Sequence, residues 1–172
     1  MLFDLVTQQN VNADGGRISG FSGNLMMKFG DTWEFGSSYN FVKGDREITI
    51  SDSTFVAPLD HIPPVYGQTY LSFNKGPVLI KGVIRYNGLK PIARYGQTAT
   101  GSITGSADNV EYATPEGTLA WTTFNLYTSF KLSSRITFDL AAENLTDLHY
   151  RPFASGVSAA GRNFILAIRG KF

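Results

Sequence analysis

Apolar and polar residues alternate along this chain in runs of period two, the pattern of β-strands that have one oily face and one polar face. The clearest run is the last. Phe164, Leu166, Ile168 and Phe172 share one phase, with Gly170 between the final two, while Asn163, Ile165, Ala167, Arg169 and Lys171 share the other. Near the start, Phe21, Leu25, Met27 and Phe29 oppose Ser22, Asn24 and Lys28, with Ile18 and Met26 as exceptions. Gly30-Asp31 predicts a tight reversal into Trp33, Phe35, Tyr39 and Phe41, which oppose Glu34, Gly36, Ser38 and Asn40. A second hairpin is expected over residues 65–74 and 78–87 around Lys75-Gly76. A third is expected over 124–131 and 136–143 around Leu132-Ser133-Ser134. Residues 2–9 alternate only briefly and predict a short first strand.

The sum is roughly eight strands of about ten residues, the length that crosses a bilayer at a tilt. Connections alternate in length. Residues 44–62, 89–117 and 144–161 read as long loops, and the three intervening turns are tight. Long loops at one end and tight turns at the other are the asymmetry of outer-membrane barrels, whose long loops are extracellular and whose turns are periplasmic. Charge follows the same phase. Asp4, Lys28, Glu34, Lys81, Arg85, Lys131, Arg135, Asp139, Glu143, Arg169 and Lys171 all fall opposite the large apolar residues, while Arg17 and Lys43 break the rule at the loop ends of their strands. An Arg or Lys on a lipid face costs roughly 2–4 kcal/mol at the midplane, so this segregation fits a lipid-facing apolar side. A soluble sandwich or lipocalin-like barrel also alternates, because one of its faces packs on a core.

Composition narrows the field further. Charged residues make up 17% and aromatics 13%, with 18 glycines, which suits β-structure with tight turns. A net charge of +1 with scattered Lys and Arg provides no footprint for nucleic acid. With no cysteine, and with His61 and His149 far apart in loops, neither a metal site nor a cofactor is expected. No apolar run reaches the roughly 18 residues of a membrane helix. The first residues, Met1-Leu2-Phe3-Asp4, do not read as a secretory signal, and the expectation is an exported protein whose beginning lies elsewhere. Catalysis is not expected: Asp139 and Glu143 share a strand face at about 13 Å, beyond the ~5–9.5 Å of glycosidase carboxylate pairs.

Several motifs resemble those of one family. Glu143, Asn144, Leu145, Asp147 and Tyr150 look like the "ENLFDxxY" segment of TonB-dependent outer-membrane receptors, and Gly161, Arg162, Asn163 and Phe164 look like their "GRNF". Ile18-Ser19-Gly20, Pro58-Leu59 with Ile62-Pro63, and Asn125-Leu126 are similar to "IxGxE", "PLxxIP" and "TxxNL". Ser22 stands where the acid of the first pattern is usual.

The resemblance implies an all-β fold: residues 1–172 as the C-terminal portion of an antiparallel transmembrane β-barrel of up-and-down hairpins, without plug or energy-coupling box. Phe164, Leu166, Ile168 and Phe172 would form the barrel-assembly signal. Implied partners are outer-membrane lipid, the barrel-assembly machinery, the remaining barrel strands and plug, and through that plug the inner-membrane TonB system. The implied function is uptake of a scarce solute such as an iron chelate, haem, cobalamin or an oligosaccharide. The alternatives are a self-contained eight-stranded outer-membrane barrel acting as adhesin, structural protein or small pore, and a soluble ligand-binding β-barrel. Candidate ligand contacts are the loop residues Arg94, Tyr95 and Tyr112, followed by His61 and Arg151. Glu143 and Arg162 flank the last hairpin and are candidates for a rim ion pair.

Overall fold

The computed structural model describes residues 2–4, 9–11, 15–50, 53–96 and 107–172. Among these the secondary structure is antiparallel β with two short 3-10 turns. The strands are β1 (Leu2–Asp4), β2 (Gln9–Val11), β3 (Gly15–Phe29), β4 (Trp33–Ile50), β5 (Ser53–Pro58), β6 (Tyr66–Lys75), β7 (Val78–Asn87), β8 (Lys90–Pro91), β9 (Gly117–Thr118), β10 (Trp121–Lys131), β11 (Ile136–Glu143) and β12 (Asn163–Gly170). One large sheet runs in the order β12-β11-β10-β7-β6-β4-β3, with β5 paired to the far half of β4. Every large-sheet pairing joins strands adjacent in the chain, except where the intervening β5, β8 and β9 sit at the loop end. This is the up-and-down order predicted from the alternation.

Two expectations change. Residues 2–9 do not make one wall strand: β1 pairs only with β2, in a separate two-stranded ribbon, and residues 5–8 lie outside the described set. Residues 44–62 are not all loop, because β4 continues for 18 residues and folds back on β5. Alternation fails there because Asp45, Arg46, Glu47, Ser53 and Thr54 lie on the ribbon, and a two-stranded ribbon clear of the wall has no buried face to enforce a pattern.

The short connections are as tight as their composition dictates. Lys75 pairs with Val78 across Gly76-Pro77, one residue later than predicted, and Gly76 adopts φ 58°, a left-handed conformation that glycine takes without steric cost. Ser133 Oγ accepts from the N–H groups of Arg135 and Ile136, both at 3.2 Å, and so closes the β10–β11 turn.

Register puts every strand in phase. One continuous rung reads Phe29, Trp33, Phe73, Ile80, Thr128, Leu140, Leu166, and the next reads Met27, Phe35, Leu71, Gly82, Leu126, Ala142, Phe164. Residues directly opposite share a face, so the large apolar side chains form one sheet-wide surface. Among the described residues nothing packs on it. Phe21, Leu140 and Leu166 keep 64%, 53% and 65% of their area exposed, and the only buried hydrophobic residues among those described are Ala57, Val83 and Tyr95. A soluble sandwich would have its main core on that face. The edge strands β3 and β12 each have a neighbour on one side only and do not pair with each other among the described residues. No helix among them is long and apolar enough to cross a membrane.

The opposite face carries a ladder of polar contacts. Tyr70 OH donates to Glu34 Oε1 at 2.7 Å, and Lys28 Nζ lies 3.9 Å from Glu34 Oε2. Lys81 Nζ sits 3.8 Å from the Tyr70 ring centroid. Tyr127 OH accepts from Arg85 at 3.3 Å and donates to Glu143 at 2.8 Å, while Arg169 grips Asp139 through Nε and Nη2 at 2.6 and 2.8 Å. Tyr70 reaches Glu34 only because its ring lies across Gly36, where an added Cβ would fall 2.2 Å from Tyr70 Cε1. Gly36→Ala is therefore expected to displace the ring and lower the urea midpoint of the folded chain in detergent at least as far as Tyr70→Phe does. An unchanged midpoint would show that the packing is dispensable.

Candidate functional site

The three long connections leave from the same end of the sheet, and their side chains knit them into one layer. The first begins where Leu59 N–H donates to Gly44 O at 3.0 Å, which brings Leu59 and Ile62 against Gly44, a place with no room for a Cβ. Lys90, at the start of the second connection, reaches back to donate to the Ile62 carbonyl. Its ammonium also lies 5.7 Å from the Tyr95 ring and 5.0 Å from the Phe153 ring of the third connection. Lys90 is only 3% exposed. A buried ammonium is tolerated when an acceptor and aromatic faces replace its water, and here they come from three different segments.

Arg94 ties the second connection to β4, with Nη1 2.9 Å from Asp45 Oδ1 and Nη2 3.4 Å from Gly44 O. Asp45 also faces Lys43 Nζ at 3.2 Å. Desolvation pushes the Asp45 carboxyl up, but the hydrogen bonds from Lys43 and Arg94 outweigh it and hold the group below its ordinary value.

The third connection is anchored by the family-like motifs. Asn144 takes φ 48°, its N–H donates to Asn125 Oδ1 at 3.0 Å, and Leu145 N–H donates to Phe124 O at 2.9 Å, which carries the β10–β11 ladder past its last rung. The Asn144 side chain donates to the Leu148 and Ala160 carbonyls and accepts from Leu148 N–H. Asp147 Oδ1 accepts from Arg162 N–H at 2.7 Å, closing the loop on the start of β12. Asn144, Asp147 and Arg162 thus meet in one turn. Glu143 instead accepts from Tyr127, and no Glu143–Arg162 ion pair forms among the described residues.

Between the second and third connections lies a cleft of about 320 Å³. Trp121, at the loop end of β10, stacks on Tyr150 with ring centroids 4.3 Å apart, and the Arg151 guanidinium lies 4.6 Å from the Tyr112 ring centroid. Thr114, Thr118, His149, Ser155 and Ser158 complete the polar part of its wall. The candidate contacts separate sharply here. Tyr112 is 50% exposed and lines the cleft with Arg151. Tyr95 has no exposed surface and its OH sits 2.5 Å from Thr118 Oγ1, so it is an interior post of the layer and not the exposed group its loop position suggested. Arg94 is engaged by Asp45, and His61 is exposed away from the cleft. Sequence reasoning passed over Lys90 and the cleft role of His149. The signal for Lys90 was faint: one lysine beside a proline, with its partners 28 and 63 positions away.

The fold defines an open antiparallel sheet of barrel-wall type, with a loop layer at one end. Solved structures share it, two of which are the following. The chain matches the copper transporter OprC with a TM-score of 0.70 and 18% identity, over 91% of this chain and 23% of that one. It matches the siderophore receptor PiuA from Acinetobacter baumannii with a TM-score of 0.62 and 14% identity, over 91% of this chain and 22% of that one. The chain therefore shares the fold of part of each of these proteins and spans less than a quarter of either. No protein-family model matches it, and no curated protein matches its sequence.

Two outcomes follow from the loop layer. Asn144→Ala removes the side-chain bonds to the Leu148 and Ala160 carbonyls and to the Leu148 N–H, places alanine at φ 48°, and is expected to cost about 1–3 kcal/mol in urea unfolding, with the near-ultraviolet signal of Trp121 altered. Asp45 stabilises the fold above the ordinary carboxylate value of about 3.9, and that contribution is lost as pH falls through its lowered folded value. The stability gap between the parent chain and Asp45→Asn should accordingly be constant near neutrality and close below about pH 4. A gap that widens on acidification would assign the stabilisation to another group.

Proposed function

We propose that this chain is the C-terminal part of the barrel wall of a TonB-dependent outer-membrane receptor that takes up a scarce solute. The observation that carries this reading is the pairing of a sheet-wide exposed apolar face with two unpaired edges. Apolar surface of this extent calls for lipid, and backbone groups at an open edge cannot remain unsatisfied in hydrocarbon. Further strands of the same receptor would pair with β3 and β12, and the polar face with its charge ladder would line the lumen. The loop layer then lies on the outer surface and the tight turns on the periplasmic side. A plug domain and its link to the inner-membrane TonB system would belong to the rest of the receptor.

The neighbours in fold are named as a copper transporter and a siderophore receptor, which favours a metal or metal chelate among the candidate solutes. A self-contained eight-stranded barrel is less well supported, since the predicted first strand lies off the sheet and the outermost strands stay apart.

The chain has no native cysteine, so single cysteines report cleanly on each face. In outer membranes of producing cells, a fluorophore on Leu140→Cys or Leu166→Cys should be quenched by brominated lipid and protected from aqueous iodide. A fluorophore on Ser72→Cys or Ser129→Cys should show the reverse. In the same membranes Leu140→Arg should destabilise by about 2–4 kcal/mol. Iodide quenching of both faces alike would remove the membrane-wall reading.

A further inference from the structure

We infer that the cleft between Tyr112 and Trp121 binds a planar, negatively charged aromatic group, the chemistry of an aryl carboxylate or a deprotonated catechol. This deepens the uptake reading and rests on it for placing the cleft at the outer surface. The argument from charge and shape stands on the cleft itself.

The lining contains one arginine and one histidine and no acid, and its volume of about 320 Å³ lies at the small end of the range that holds ligands. Two carboxylates beside the lining have partners of their own. Glu116 accepts from Thr114 at 2.9 Å, and Asp147 accepts from the backbone of Arg162. Arg151 makes no ion pair among the described residues: its guanidinium lies against the face of Tyr112, which fixes the plane of the fork and leaves N–H groups at its edge to meet an anion. A planar guanidinium held this way matches a carboxylate or paired phenolates in two parallel hydrogen bonds.

The Trp121–Tyr150 stack, tilted at 36°, supplies a flat apolar wall on which a ring can lie. A neutral sugar also stacks on such a wall, and the lining hydroxyls could meet its hydroxyl groups, but it would leave the Arg151 charge unmatched. An aliphatic anion would use Arg151 and leave the aromatic wall unmatched. The two features together select an anion that is also a flat ring.

The test uses the full chain with Trp33→Phe, which leaves Trp121 as its one tryptophan. Salicylate is the probe, with cyclohexanecarboxylate and benzyl alcohol as the non-planar anion and the neutral ring. Salicylate should quench Trp121 saturably, and each control should bind at least tenfold more weakly. Arg151→Gln should weaken salicylate at least tenfold with the near-ultraviolet spectrum unchanged, and Arg151→Lys should recover part of the loss. Tyr112→Leu provides a second route to the same loss if the Arg151 variant misfolds. Radiolabelled salicylate on outer-membrane vesicles from producing cells repeats the comparison without refolding.

Equal binding of salicylate and benzyl alcohol, indifference to Arg151→Gln, or no saturable binding to the folded chain would overturn the inference. Solute uptake by producing cells without salicylate binding would sink the cleft and spare the transport reading. Salicylate binding without uptake of any candidate solute would do the opposite.

Discussion

Because side chains alternate strictly along a strand, a slip of one residue in any pairing of the large sheet would send that strand's apolar set to the polar face. The rung from Phe29 through Trp33, Phe73, Ile80, Thr128 and Leu140 to Leu166 shows no such slip across seven strands. Everything else depends on that agreement. It places Glu34, Tyr70, Lys81, Arg85, Tyr127 and Glu143 together, where charges and hydroxyls satisfy one another, and it keeps charge off the surface that has no protein cover. It also leaves the sheet dependent on its surroundings, with an exposed apolar face and two edges that present unpaired backbone.

At the loop end the physics changes from repetition to convergence. Lys90 holds an ammonium among Ile62, Tyr95 and Phe153, groups from three segments, and Arg94 fastens the second segment to Asp45. The motif asparagines have a structural explanation. Asn125 and Asn144 bond to each other and extend a ladder that would otherwise end at Leu126 and Ala142. With the loops tied down in this way, the surface between Tyr112 and Trp121 has a defined shape. A cleft built on loops holds its geometry only when buried anchors beneath it fix the backbone.

The candidate residues divided according to what a sequence position conveys. Tyr112 and Arg151 were legible as loop groups with binding chemistry, and they meet in the cleft. Tyr95 looked the same in sequence and is wholly buried, since a tyrosine next to an arginine in a polar loop reads alike whether its ring points outward or toward Thr118. Residues 44–62 read as loop because the β4–β5 ribbon lies clear of the wall, where no buried face imposes alternation. The first predicted strand failed for a related reason: with only a few alternating residues, Leu2–Asp4 and Gln9–Val11 pair locally and add nothing to the large sheet.

By itself the sequence determined the wall strands of the large sheet apart from β5 and the far half of β4, along with their short turns, the side on which the apolar residues lie and the end from which the long loops leave. Each of these is encoded locally, in a period of two or in a glycine at a turn. Only the tertiary structure decided that the loops form one layer, that Lys90 and Tyr95 are its interior, and that Trp121, Tyr150, Tyr112 and Arg151 enclose a cleft. Those facts depend on contacts between segments far apart in the chain, and nothing in the spacing of an irregular loop specifies which distant side chain will meet it.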